Sequence, residues 1–295
     1  MHKILLTALI AVLAGCATTP QAPLIDHSLT AKGQSSRARF IVLHYTVADL
    51  PRSIKILTEQ EVSAHYLLTD TDAPKFYALV DENRAAWHAG NSSWKNYTQL
   101  NNSSIGIEIV NAGFVETPQG RVYAPFKQAQ IDQLIPLLRQ IVARHQILPE
   151  NILAHSDIAP QRKQDPGPLF PWQQLAAAGL ITWPDPAQVA VHRTLFDSQL
   201  PDVAWFQQKL GQHGYAVPRS GVLDEATRNV MAAFQTKYRN AKYDGEPDAE
   251  SAAILATLTN TRPGLPMPSP AVPSAVPMPT TAPVPDAPPV PPVQP

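Results

Sequence analysis

His44 closes the apolar run Phe40-Ile41-Val42-Leu43, while His155 and Asp165 flank a stretch that also holds Lys163. Two imidazoles and one carboxylate are a common ligand set for a catalytic zinc that keeps its fourth position open for water. A single histidine at a strand end is more often a hydrogen-bonded structural residue than a ligand. Asp165 changes that balance, because it lies in the irregular loop Arg162-Lys163-Gln164-Asp165-Pro166-Gly167 shortly after His155. Histidines ending two adjacent strands can meet, and a loop carboxylate can complete the set. Glu108 is a further acidic candidate. Side chains alternate faces along a strand, so in Ser104 to Val110 the residues Ile105, Ile107 and Ile109 face one way and Gly106 and Glu108 the other. An acid opposite three isoleucines either reaches solvent or lines a cleft. These residues make a hydrolase the first hypothesis.

The elements that must position them are short. Phe40 to Tyr45, His65 to Thr69, Phe76 to Val80, Ser104 to Val110 and Ile152 to His155 are rich in Ile, Val, Leu, Phe and Tyr and predict strands. After Phe126, Ile131, Leu134, Ile135, Leu138, Ile141 and Val142 recur at three- and four-residue steps, which predicts a helix with one stripe facing a core. Pro136 falls inside that pattern and predicts a kink or an early break. Strands mixed with covering helices predict an α/β fold, a mixed central sheet covered by helices, over residues 35–186. Residues 199–262 predict a second, small all-α domain with an internal repeat. Gly221-Val222-Leu223-Asp224-Glu225-Ala226-Thr227 is echoed by Gly245-Glu246-Pro247-Asp248-Ala249-Glu250-Ser251, so both halves begin a helix with an Asp cap.

The ends are of a different character. His2 and Lys3 lead into the apolar stretch Ile4 to Ala14, which is well short of the roughly 20 residues a bilayer span needs. It ends at Leu13-Ala14-Gly15-Cys16, which resembles the bacterial lipoprotein processing box and implies residues 1–16 are a signal peptide with lipidation at Cys16. Ala17, rather than aspartate, favours the outer membrane, lipid-anchored and facing the periplasm. Residues 17–34 are expected to be a tether. Residues 263–295, dominated by proline, alanine and valine, are expected to be an extended tail. Cys16 is the only cysteine of the 295 residues, so if it is acylated a thiolate ligand, a cysteine nucleophile and a disulfide within the chain have no candidates. A net charge of -1 gives no general pull towards nucleic acid. The sequence contains no Gly-rich phosphate loop, His-Glu-x-x-His pair or nucleophilic-serine elbow.

Five runs share one resemblance: Ile41-Val42-Leu43-His44-Tyr45-Thr46, Val62-Ser63-Ala64-His65-Tyr66, Ala86-Trp87-His88-Ala89-Gly90, Ser104-Ile105-Gly106-Ile107-Glu108, and His155-Ser156-Asp157-Ile158-Ala159-Pro160 with Lys163 and Asp165. In this order they resemble the zinc N-acetylmuramoyl-L-alanine amidases related to peptidoglycan recognition proteins. The lipoprotein box in front and the helical block behind make the Gram-negative outer-membrane lipoprotein amidases the nearest likeness. The resemblance implies one Zn2+ ion held by His44, His155 and Asp165, with Glu108 as the catalytic acid and base and Lys163 beside the third ligand. It also implies cleavage of the amide between muramic acid and the stem peptide of peptidoglycan or muropeptides. Trp87, His88 and Asn111 are candidates for lining the substrate cleft, with core packing an equal alternative for Trp87; His65 is expected to be structural or to orient a ligand. Gly214-Tyr215, Gly221, Asp224, Thr227 and Phe234-Gln235 resemble the peptidoglycan-binding modules of wall hydrolases. The rival reading is a non-catalytic peptidoglycan-binding lipoprotein that tethers membrane to wall.

Overall fold

A five-stranded sheet carries His44 and Glu108 and ends one strand just before His155. The computed structural model describes residues 24–260, so the signal-like leader with Cys16 and the proline-rich tail lie outside the described residues. The elements are β1 (Phe40–Tyr45), α1 (Leu50–Glu59), β2 (Tyr66–Leu68), β3 (Phe76–Ala78), β4 (Ser93–Trp94), β5 (Tyr97–Thr98), β6 (Ser104–Ile109), β7 (Phe114–Thr117) and β8 (Gly120–Tyr123). They continue as α2 (Gln128–His145), β9 (Ile152–Ala154), α3 (His155–Ile158), α4 (Trp172–Ala177), α5 (Pro186–Ser198), α6 (Val203–His213), α7 (Glu225–Tyr238) and α8 (Ala249–Asn260). The main sheet runs β3-β2-β6-β1-β9, parallel except for the β2–β3 edge, while β4–β5 and β7–β8 form separate hairpins.

Parallel strands are stable when both faces are covered, and both are. On one face Ile41, Leu43, Ile105, Ile107 and Ile109 pack with Ile131, Leu134, Leu138 and Ile141 of α2. The helix is continuous through Pro136, against the expected break. Pro136 lies on the exposed side, where the carbonyl it leaves unpaired can meet water, and the buried stripe on either side holds the helix together.

On the other face one apolar cluster runs from Phe40, Val42 and Leu153 through Trp94 and Ile158 to Phe206, Phe234 and Leu255. The helical block therefore shares the core of the sheet, and the described residues from Arg37 onward, 37–260, belong to one compact unit. The linking segment is itself a helix, α5, which packs along α8. Both expected Asp caps are present: Asp224 accepts from Thr227 N at 2.8 Å and Asp248 from Ser251 N at 2.8 Å. The repeat extends to two buried glutamines. Gln207 on α6 accepts from Gly221 N and donates to Val222 O, and Gln235 on α7 accepts from Gly245 N and donates to Glu246 O.

A buried ion pair joins the two blocks. Lys237 of α7 donates to Asp157 Oδ2 of α3 at 2.7 Å and to Ile152 O at 3.2 Å, and Tyr215 donates to Asp157 Oδ1 at 2.5 Å. Removing one partner of such a pair strands a buried charge. Lys237→Ala is expected to destabilise the protein by about 3–5 kcal/mol. Urea unfolding followed by circular dichroism should show one transition at lower midpoint, because the blocks share a core.

Candidate metal centre

His44 is the penultimate residue of β1, and the β1–β6 register sets it level with Glu108. His155 opens α3 immediately after β9, the other neighbour of β1, and Asp165 follows on the loop beyond α3. The three meet. His44 Nδ1 lies 2.9 Å from His155 Nδ1, and Asp165 Oδ2 lies 3.0 Å from each. Ligands at ~2.0–2.1 Å from a tetrahedral zinc stand about 3.3 Å apart, so a slight opening accommodates an ion.

The electrostatics suit a cation. Burial and the neighbouring His155 push the His44 pKa down to about 4, despite the opposing Asp165, so its ring is neutral as a ligand must be. Burial works against ionising Asp165, but the two imidazoles that face it hold its carboxyl well below the usual carboxylate range. His155 Nε2 faces the carbonyl of Ala89 at 3.3 Å, and with its hydrogen directed there Nδ1 is the lone-pair atom facing the cluster. Arg162 donates to Ala89 O and Asn91 O and so braces that carbonyl loop. Gly90, at φ +55°, lies against Arg162, where a β-carbon would stand 2.9 Å from its terminal nitrogen.

Glu108 lines the same cleft, of about 660 Å³, and its Oε2 is buried without a hydrogen-bond partner. Burial, reinforced by the Asp165 charge and partly offset by Lys163, pushes its pKa up to about 8. Lys163 lies on the cleft wall. Trp87 is 60% exposed and borders the cleft, so it is not packed in the core. His65 is structural: its Nδ1 accepts from Gly106 N at 2.9 Å and its Nε2 faces Arg84 O at 3.0 Å.

Two expectations need correction. Asn111 is not among the residues lining the cleft; its amide donates to Ala124 O and Pro125 O and accepts from Gly113 N, fastening the approach to the β7–β8 hairpin. His88 borders the cleft but is buried, with its ring nitrogens facing His44 Nε2 at 3.0 Å and Ser104 Oγ at 3.1 Å. Neither nitrogen is free for a substrate. The cleft also contains residues the sequence did not single out: Tyr45, Arg121 on the hairpin, and Glu225 and Asn229 on α7. The helical block thus forms part of its wall, and Gln161 ties the two sides by bonding Ala226 O and Asn229.

Residues 34–168 match the N-acetylmuramoyl-L-alanine amidase family, and residues 199–255 match the putative peptidoglycan binding domain. The chain is 41% identical over 264 residues to the N-acetylmuramoyl-L-alanine amidase AmiD of Escherichia coli, covering 86% of this chain and 95% of that protein. It belongs to the N-acetylmuramoyl-L-alanine amidases. As a member it is an amide hydrolase, and the bond that names the family joins N-acetylmuramic acid to L-alanine. The fold agrees. The structure of E. coli AmiD in complex with anhydro-N-acetylmuramic acid-L-Ala-D-gamma-Glu-L-Lys superposes with a TM-score of 0.73 at 42% identity, covering 80% of this chain and 94% of that one. AmpDh3 of Pseudomonas aeruginosa gives a TM-score of 0.76 at 36% identity, covering 82% and 100%. AmpDh3 in complex with anhydromuramic pentapeptide gives 0.75 at 37% identity, covering 80% and 98%.

Because Glu108 touches the cleft but not the three converging atoms, metal binding and turnover should separate. Glu108→Ala is expected to keep its metal by elemental analysis and to lose kcat about 10²- to 10⁴-fold, the usual contribution of a general acid–base.

Proposed function

We propose that this amidase holds one zinc ion between His44, His155 and Asp165. In this reading it hydrolyses the muramoyl–L-alanine bond of peptidoglycan or its muropeptide fragments, from a lipid anchor at Cys16 on the outer membrane, facing the periplasm. The observation that carries the reading is the meeting of three ligand atoms beside Glu108, whose buried Oε2 has no partner, in an open cleft. The donor set is one that zinc takes in catalytic sites.

An ion held by His44, His155 and Asp165 would supply Lewis-acid polarisation of the scissile carbonyl and a lowered pKa for the attacking water. Glu108, in the cleft and level with His44, takes the water's proton and returns it to the leaving L-alanine nitrogen. Lys163 lies where it can face the negative charge developing on the carbonyl oxygen, a contribution of typically a few kcal/mol. Trp87 offers an apolar surface on the rim. That AmiD and AmpDh3 have been solved with anhydromuropeptides supports muropeptides as occupants of this cleft. The match of residues 199–255 to a peptidoglycan-binding domain supports the wall as the larger target. The anchor rests on Leu13-Ala14-Gly15-Cys16 following an apolar stretch.

Two measurements test the reading. Digestion of purified peptidoglycan, read by mass spectrometry, should release stem peptides beginning with L-alanine, stop after chelation and resume with added zinc. Hydrolysis that continues in fully metal-free protein would exclude the metal role. In cells given a fatty-acid probe, the full-length protein should be labelled and Cys16→Ala should not; a labelled variant would dismiss the anchor.

A further inference from the structure

His44 can serve as a ligand through Nδ1 only if its proton sits on Nε2, and a chain of contacts behind it decides where that proton is. At the far end, Ser104 Oγ lies 2.5 Å from Leu100 O, a carbonyl that only accepts, so the hydroxyl hydrogen points there. Ser104 Oγ therefore accepts from His88 Nε2, 3.1 Å away. With its hydrogen on Nε2, a neutral His88 presents a lone pair at Nδ1, which faces His44 Nε2 at 3.0 Å. Two imidazole nitrogens at that distance need one donor and one acceptor. His44 Nε2 is then the donor, and His44 Nδ1 turns a lone pair towards Asp165 and towards His155 Nδ1, 2.9 Å away, a pairing that a shared cation reconciles.

A separate observation shows that the sheet makes room for this arrangement. Gly106 lies inside β6 with an ordinary strand backbone, a place where glycine weakens a sheet. A β-carbon there would overlap the His88 ring. The strand lacks a side chain where the imidazole lies against its backbone. Ser104, Gly106 and Glu108 alternate on one face of β6, so that face supplies in turn the anchor of the chain, the space for its ring and the carboxyl group beside His44.

We propose that His88 is a positioning residue for the metal, fixing the tautomer and ring plane of His44 through the sequence Leu100 O, Ser104, His88, His44. The proposal rests on the metal reading above. Such outer contacts commonly change metal affinity 10- to 100-fold. A metal-bound histidine more often donates to a carboxylate or a carbonyl, whereas here the acceptor is another imidazole whose own orientation is set by a serine.

The test compares wild type, His88→Phe, His88→Gln and Ser104→Ala. The Gln amide oxygen can accept from His44 while its nitrogen donates to Ser104, so it should restore what Phe removes. Zinc affinity, measured by competition with a chromophoric chelator, should weaken about 10- to 100-fold in His88→Phe and recover most of that loss in His88→Gln. Ser104→Ala leaves the ring in place but frees its tautomer, and should fall between them. Nitrogen-15 NMR of the zinc-loaded wild type should place the ring protons of both His44 and His88 on Nε2. A folded His88→Phe with wild-type affinity, or a wild-type His88 protonated on Nδ1, overturns the proposal; the latter reading does not depend on any variant folding. Wild-type protein that binds no zinc would instead overturn the metal reading itself.

Discussion

Parallel pairing of β1 with β6 is the constraint on which the site depends. It brings His44 level with Glu108 and Val42 level with Gly106, so His44, Glu108 and the space for His88 share one face. The opposite face secures the register. Ile105, Ile107 and Ile109 are fully buried against α2, and a slip of one residue would turn them towards the cleft and Glu108 into the hydrophobic core. The hydrophobic pattern that closes the core thus also fixes the chemistry. β9 completes the arrangement from the other edge of β1, because its end is where His155 begins α3.

Much of this was legible in the sequence because strand alternation and helical periodicity are local signals. β1 has the bounds that its apolar run predicts, and the other four main strands differ from expectation by one or two residues at their ends. His44, His155 and Asp165 stood out by residue type, and the structure brings their ligand atoms together. What the sequence concealed depends on partners distant in the chain. Asn111 and His88 both looked like polar residues available to a substrate, yet one fastens a hairpin and the other lies behind a ligand. No local pattern distinguishes a polar side chain facing a cleft from one satisfied by a carbonyl or a ring elsewhere. The two short hairpins escaped for a related reason, as runs of two to four residues show too little alternation. Pro136 misled because its usual cost assumes a helix that must stand alone, whereas α2 is held by its packed stripe.

The helical block shows the same limit on a larger scale. Its repeat of caps and turns was readable, and the pair of buried glutamines shows that the likeness extends into the core. Periodicity could not reveal that Phe206, Leu210 and Phe234 close against the sheet rather than only against one another. A residue buried in a bundle and one buried in an interface produce the same pattern.

That shared core gives the helical block a bearing on the metal centre. Asp157 lies two residues after His155 and accepts from Ala154 N, closing the first turn of α3. Its remaining bonds come from Lys237 and Tyr215, both in the helical block. α3 is only four residues long and cannot hold its direction by internal hydrogen bonds. The orientation in which it presents His155 is therefore fixed from outside, by a buried lysine on α7 and a tyrosine after α6. The same helix α7 contributes Glu225 and Asn229 to the cleft wall. A block that resembles a wall-binding module is thus also part of the scaffold that aims His155, and its loss would disturb the candidate metal centre before any question of wall affinity arose.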